Sequence, residues 1–277
     1  MTETMVPSWG AVAGSLVLVA LVVVLAQREK LRLSRDLLVA SLRAGVQLVA
    51  VGAVLLLVFA HTGLPGAVGW IALMVLLAGQ VAGRRAAGVP RSRWYATTAI
   101  AAASGITLGA LIALRAIPTQ PHVLVPIGGM IVSGAMQAAG VTLHRLVGEA
   151  ETGRPQIETR LSLGQPARQA FLPHLRSSVR TALLPAIDST KVVGLISLPG
   201  AMTGLILAGV SPLTAIRYQI IVMYMLLAAT TLAALIVARL AERGLFDRAH
   251  RLVTPPTPVP RRRHPLTTYL RAGTKRR

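Results

Sequence analysis

The chain carries nine carboxylates, Glu3, Glu29, Asp36, Glu149, Glu151, Glu158, Asp188, Glu242 and Asp247, each outside the long apolar runs or at their edges. Proton-coupled carriers commonly place Asp or Glu inside the bilayer as relay groups, so this distribution weighs against a self-powered secondary transporter. The six histidines, His61, His122, His144, His174, His250 and His264, also fall outside the runs. No two share metal-motif spacing, and solvated surface side chains are expected. Met130, Met136, Met202, Met223 and Met225 offer thioethers that suit a soft metal, but Met more often fills packing gaps, and packing is the favoured reading. There is no Cys, so disulfides, thiolate zinc sites and thiol catalysis are excluded. The motifs G-x-x-x-x-G-K-[ST], H-E-x-x-H and G-x-S-x-G are absent, which leaves no nucleotide cradle and no catalytic residues to assign. No cofactor is implied.

Three polar features do lie within or against apolar runs. Arg43 sits about 9 Å past Leu37 at 1.5 Å per residue, shallow enough to snorkel to the interface. At a helix centre it would need a partner or an aqueous cavity, which Gln47, one turn deeper, would share. Pro199 lies near the middle of Val192–Val210 and has no N–H, so the carbonyl of Leu195 loses its helical partner and a break is expected. Met202 and Thr203, one turn beyond, would join Leu195 along a transport path. A kink healed by neighbouring helices weighs about equally. Asp188 and Lys191, three apart, can pair on one helix face, an interfacial contact worth at most ~1 kcal/mol.

The elements that must hold these residues are apolar runs: Ser8–Ala26, Leu37–Ala60, Ala67–Ala82, Tyr95–Leu114, Val123–Leu143, Val192–Val210 and Ile216–Ala238. Most approach the ~20 residues that cross ~30 Å of hydrocarbon. With 53% hydrophobic and 14% charged residues, the expectation is an all-α polytopic membrane protein of seven spans. Lys and Arg number 29, and 26 of them flank the same alternate set of connections and the tail, against Arg115 and Arg217 on the other side and Arg43 within a run. The positive-inside rule therefore places the amino terminus outside and the carboxyl terminus in the cytoplasm. The basic excess is topological and leaves no soluble basic domain for nucleic acid. Small residues Ala101, Gly105, Gly109 and Ala113, and again Gly200, Gly204 and Ala208, make grooves for close helix approach, including a seam between two copies of the chain.

The long connection 144–191 has apolar Ile157, Leu161, Ala167, Phe171, Leu175, Val179 and Ala182 mostly at helical spacing, with Arg160, Arg168, Arg176 and Arg180 elsewhere. Gly164 is suited to end one helix and Pro166 to begin the next. The bent pair would either lie on anionic lipid or dock a cytoplasmic partner, with Phe171 and Leu175 as contacts. Residues 251–277, rich in Pro and Arg, read as a disordered cytoplasmic tail after a seven-helix transmembrane domain at 1–250.

Glu158 to Gly164 has the glutamate-to-glycine spacing of the coupling loop in ABC importer permeases. More specific is Leu198-Pro199-Gly200-Ala201-Met202-Thr203-Gly204, followed by Ala208-Gly209, Pro212, Ala215 and Tyr218-Gln219-Ile220. This run resembles the iron-export ABC permease family, whose relatives include plant permeases implicated in aluminium tolerance. Arg28-Glu29-Lys30-Leu31 with Asp36, Arg43-Ala44 with Gln47-Leu48 and Gly52, and Asp188 with Lys191 before Gly194 extend the likeness over roughly residues 10 to 250. The family pattern after Gly129-Met130-Ile131 continues Gly-Asn-Ala-Met, whereas this chain has Ser133-Gly134-Ala135-Met136.

The resemblance implies a multi-pass permease of the cytoplasmic (inner) cell membrane. It would act as a homodimer with a cytoplasmic ABC ATPase subunit and serve metal ion homeostasis by export of a cation such as iron. It also implies coupling roles for Glu158, Gly164, Asp188 and Lys191. A secondary transporter or channel, and a membrane scaffold without cargo, are the alternatives. The topology is open to direct test: a reporter fused after Leu64 should read outside and one after Gly153 cytoplasmic, and the opposite result at either position would overturn the seven-span arrangement.

Overall fold

The structure is a computed structural model that describes residues 9–29, 34–61, 63–86, 88–247, 249 and 251–253. Among these the chain is helical, with two isolated bridges, Val193 with Ser197 and Phe246 with Leu252. The helices are α1 (Trp9–Arg28), α2 (Ser34–His61), α3 (Gly63–Gly83), α4 (Ser92–Ala113), α5 (Pro121–Thr152), α6 (Arg154–Ser162), α7 (Ala167–Val192), α8 (Gly200–Leu207) and α9 (Pro212–Leu245). A single 3₁₀ turn, Arg84–Ala86, continues α3. The tail from Thr254 lies outside the described residues.

Four segments among the described residues are long and apolar enough to cross a membrane: Gly63–Ala86, Ser92–Ala113, Pro121–Thr152 and Pro212–Leu245. α1 and α2, with 20 and 28 residues, cover the first two apolar runs without interruption. The sixth run behaves differently. Val192–Val210 is not one helix: α7 ends at Val192, residues 193–199 are irregular, and α8 has only 8 residues. At 1.5 Å per residue α8 rises about 12 Å, well short of the hydrocarbon thickness. The break falls where Pro199 was expected to make one, but it is a whole segment and not a kink. Gly194 at φ +81° turns the chain out of the helix, Pro199 is extended as the N-cap of α8, and Gly209 at φ +86° closes it.

The chain divides into two compact units. The first comprises Met1–Met74, Thr107–Met130 and Ser189–Leu226. There α1 packs on α2, and Gly128 lies against Ile71, where an added Cβ would come within 2.8 Å of the Ile71 side chain. The second comprises Val75–Ile106, Ile131–Asp188 and Leu227–Arg277. Its core is built from small and aliphatic side chains, including Ala99, Ala103, Ala135, Ala139, Ala233 and Ala241. That composition fits membrane helices, which gain little by burying Leu from lipid and associate by close van der Waals approach. Gly79 and Gly83 on α3 are pressed against Thr97 and the backbone of Arg93 on α4. By contrast a Cβ added at Gly105, Gly109, Gly200 or Gly204, expected at helix grooves, would meet nothing within 4 Å among the described residues.

The packing of α3 on α4 gives a paired prediction. A Gly→Ala change in a helix favours the helix by roughly 1 kcal/mol where there is room, and overpacking costs about 1–3 kcal/mol where there is none. Gly79→Ala should lower the melting temperature in detergent, whereas Gly69→Ala, with nothing within 4 Å, should leave it level or raise it. Equal melting temperatures for the two variants would refute the close contact.

Candidate functional site

The connection 144–191 forms an elbow. α5 runs on through Thr152, Gly153 gives a one-residue bend, and α6 and α7 meet at Gly164. The turn is a Schellman closure: the Gly164 N–H donates to Leu161 O, the Gln165 N–H donates to Arg160 O, and Gly164 takes φ +83°. Pro166 precedes α7, and its carbonyl accepts from Gln169 and Ala170. Arg160 fastens the two arms by donating from Nη1 to Ala170 O at 3.1 Å. Leu163, at the tip, is 76% exposed.

The apolar stripe expected from spacing is present and faces inward. Ile157, Ala167, Phe171, Leu175, Val179 and Ala182 are buried, while Arg168, Arg176 and Arg180 are exposed. Phe171 is fully buried and meets Phe246 edge to face at 5.8 Å between centroids. Phe171 and Leu175 therefore hold the elbow in place rather than present a free surface. Glu158 and Gly164 are exposed, and Glu158 pairs with Arg154 at 3.1 Å on α6. Asp188 and Lys191 are exposed on the last turns of α7.

One expectation is corrected here: His174 is not a solvated histidine but is buried on the inner face of α7. It stacks on Phe171, with ring centroids 5.9 Å apart. Its Nδ1 lies 2.9 Å from Glu149 Oε2 near the end of α5, and Ser177 Oγ donates to Glu149 Oε1 at 3.0 Å. Glu149 lies beyond the apolar run that ends at Leu143. The hydrogen bond from His174, with help from Ser177 and the charges of His174 and Arg145, holds its carboxyl below the ordinary glutamate range against the opposing effect of burial. An ionised carboxylate only accepts, so Nδ1 carries the donated proton. Both Ser177 and His174 donate to the acid and the serine does not meet the imidazole, so the trio is a clamp and not a nucleophile with its base. Sequence reading missed it, although His174 sits three residues after Phe171 and one before Leu175, on the stripe itself.

Among the expected path residues, Pro199 and Thr203 come together: Thr203 N–H and Oγ1 both donate to the Pro199 carbonyl, at 3.0 and 3.1 Å. Pro199, Met202 and Thr203 are half-buried, whereas Leu195 is 88% exposed. Arg43 and Gln47 are both exposed, one turn apart on α2. At the departure from the family pattern, Ser133 Oγ accepts from Gln137 Nε2 at 3.5 Å. Among the described residues no three His, Cys, Asp or Glu side chains gather as a metal site.

The model of the uncharacterised protein family UPF0014 matches residues 9–246. The chain belongs to this family. It is similar to the UPF0014 membrane protein STAR2 of Oryza sativa subsp. japonica, with 41% identity over 84% of this chain and 82% of that protein. Protein ALUMINUM SENSITIVE 3 of Arabidopsis thaliana is 39% identical over 87% of this chain and 89% of its own length. The Escherichia coli (strain K12) protein named "Probable iron export permease protein FetB" is 37% identical over 88% of this chain and 94% of its own. No solved structure matches the chain. With these UPF0014 relatives and its long apolar helices, it is a multi-pass membrane protein.

The clamp makes a pH prediction. A carboxyl whose folded pKa is depressed contributes stability that is complete above its unfolded value of about 4.3 and is lost as pH falls through the folded one. The melting temperature of the wild type in detergent should drop more steeply below about pH 4.3 than that of Glu149→Gln. Parallel pH profiles for the two proteins would show that the clamp contributes nothing.

Proposed function

We propose that this UPF0014 chain is the permease subunit of an ABC exporter of a metal ion such as iron, powered by ATP hydrolysis on a separate cytoplasmic subunit. The permease acts as a homodimer in the inner cell membrane, with seven crossings, the amino terminus outside and the carboxyl terminus inside. The observation that carries the reading is the elbow α6–α7. It is a rigid helical pair with a buried seam, clamped through Glu149, and it displays Leu163 at a tip where a partner's apolar groove can receive it. The relative named as a probable iron export permease supports export of a metal, and the relative named for aluminium sensitivity fits the same cargo class. In this reading coupling runs through α7, which extends from the elbow to Val192, where the irregular segment 193–199 begins. A push on the elbow reaches that segment along one helix, past Asp188 and Lys191.

The sixth crossing is then a broken one. Irregular backbone at membrane depth is tolerated only where protein or a water-filled cavity can satisfy its polar groups. Backbone carbonyls of 193–199, the Thr203 hydroxyl and the Met202 thioether are the donors it offers a cation, with Arg43 and Gln47 assigned to the same path. The small-residue faces at Ala101, Gly105, Gly109 and Ala113, open in the single chain, suit the second copy.

Because Phe171 and Leu175 are buried, charge there would disrupt the fold without testing docking, and the exposed tip is the informative position. Leu163→Asp, co-expressed with the candidate ATPase, should abolish co-purification and permease-stimulated ATP hydrolysis while insertion persists. Pro199→Ala should keep the complex but suppress iron-stimulated hydrolysis and transport. Intact coupling in the first variant would remove the elbow from the interface, and intact transport in the second would remove the broken crossing from the path.

A further inference from the structure

The connection from α3 to α4 forms an open surface cavity of about 390 Å³ lined by Gly83, Arg84, Val89, Pro90, Arg91, Ser92 and Arg93. Its lining contains three arginines and no carboxylate. Among the described residues none of the three forms an ion pair. Cytoplasmic positive charge is expected from topology alone, but topology does not require the cations to share one concavity. Hydrogen bonds hold the described residues of the turn that brings them together: Val89 N–H donates to Ala86 O, Ser92 N–H to Val89 O and Tyr95 N–H to Arg91 O, and the buried Ser92 Oγ donates to Gly83 O at 3.0 Å. These bonds hold Arg91 at φ +59°, a left-handed conformation that non-glycine residues adopt at a cost. The close approach of Gly83 to Arg93 pins the other side. The chain's own contacts therefore shape the cavity.

We propose that this cavity binds the phosphate of an anionic phospholipid headgroup from the surrounding bilayer. Guanidinium groups match phosphate oxygens by paired N–H donors, and basic pockets at the cytoplasmic ends of membrane helices suit such headgroups. The depth is set independently by Trp94, next in sequence and 65% exposed, because exposed Trp at a helix end marks the headgroup level of the interface. A free phosphate ion shares the chemistry but would have no reason to be presented at that depth. Bound there, the lipid ties α3 to α4 and neutralises cations that repel one another.

The test uses the full-length permease in nanodiscs of phosphatidylcholine with and without phosphatidylglycerol, and native mass spectrometry to count retained lipid. The triple variant Arg84→Gln, Arg91→Gly, Arg93→Gln removes the cations and leaves glycine where the backbone is left-handed. Arg168→Gln, Arg176→Gln, Arg180→Gln removes three exposed charges from α7 as a matched control. Wild type and control should retain phosphatidylglycerol over phosphatidylcholine, and the triple variant should lose that preference by on the order of tenfold or more. The single variant Arg91→Gly, which relieves the strained turn, supplies a folded protein if the triple variant does not insert, and should show a smaller loss in the same direction. Equal losses in the triple variant and the α7 control would overturn the site. Saturation by millimolar inorganic phosphate without any preference for phosphatidylglycerol would overturn the lipid assignment.

Discussion

Hydrocarbon offers no hydrogen-bond partner, so a chain that crosses it must satisfy every backbone N–H and C=O within itself, and the helix is the local way to do so. That single constraint explains why the described residues are almost wholly helical and why alanine recurs so often among the aliphatic side chains that fill the interior of the second unit. Burying leucine yields little when the alternative is lipid, and contact distance becomes the useful variable. Gly79 and Gly83 show the result, since a methyl group at either would collide with α4.

Where the constraint is relaxed, function is the reason to look. Residues 193–199 leave the helix between Val192 and Gly200, with Leu195, Ile196 and Leu198 strongly exposed in the single chain. Such a segment is stable in a membrane only if other protein or water covers it. It follows α7, which begins at the elbow and carries the internal prolines Pro173 and Pro185. One helix therefore links the element suited to a partner with the element unsuited to lipid.

Much of this was legible from residues. Six of the seven apolar runs are continuous helices, the elbow turns at Gly164 as its lack of Cβ allows, and Pro199 marks the break. Three things were not. The extent of the break depends on Gly194 adopting a positive φ, and a glycine in an apolar run carries no sign of whether it will. The inward direction of Phe171 and Leu175 was ambiguous, because an amphipathic stripe has the same period whether it faces its own chain, a lipid surface or a partner. The clamp on Glu149 joins residues 25 and 28 positions apart, and such pairings leave no periodic trace.

The two polar devices, the clamp on Glu149 and the arginine cluster between α3 and α4, differ in kind, and the difference bears on how each can respond. Glu149 is satisfied twice within the chain, by His174 and Ser177, so its role is complete without a ligand and it serves to fix the elbow. The arginines between α3 and α4 are gathered by a strained, hydrogen-bonded turn and find no counter-charge among the described residues. Like charges held near one another repel, and an anion placed among them relieves that repulsion. A carboxylate satisfied within its own chain sets geometry, whereas gathered cations without a counter-charge suit an outside anion.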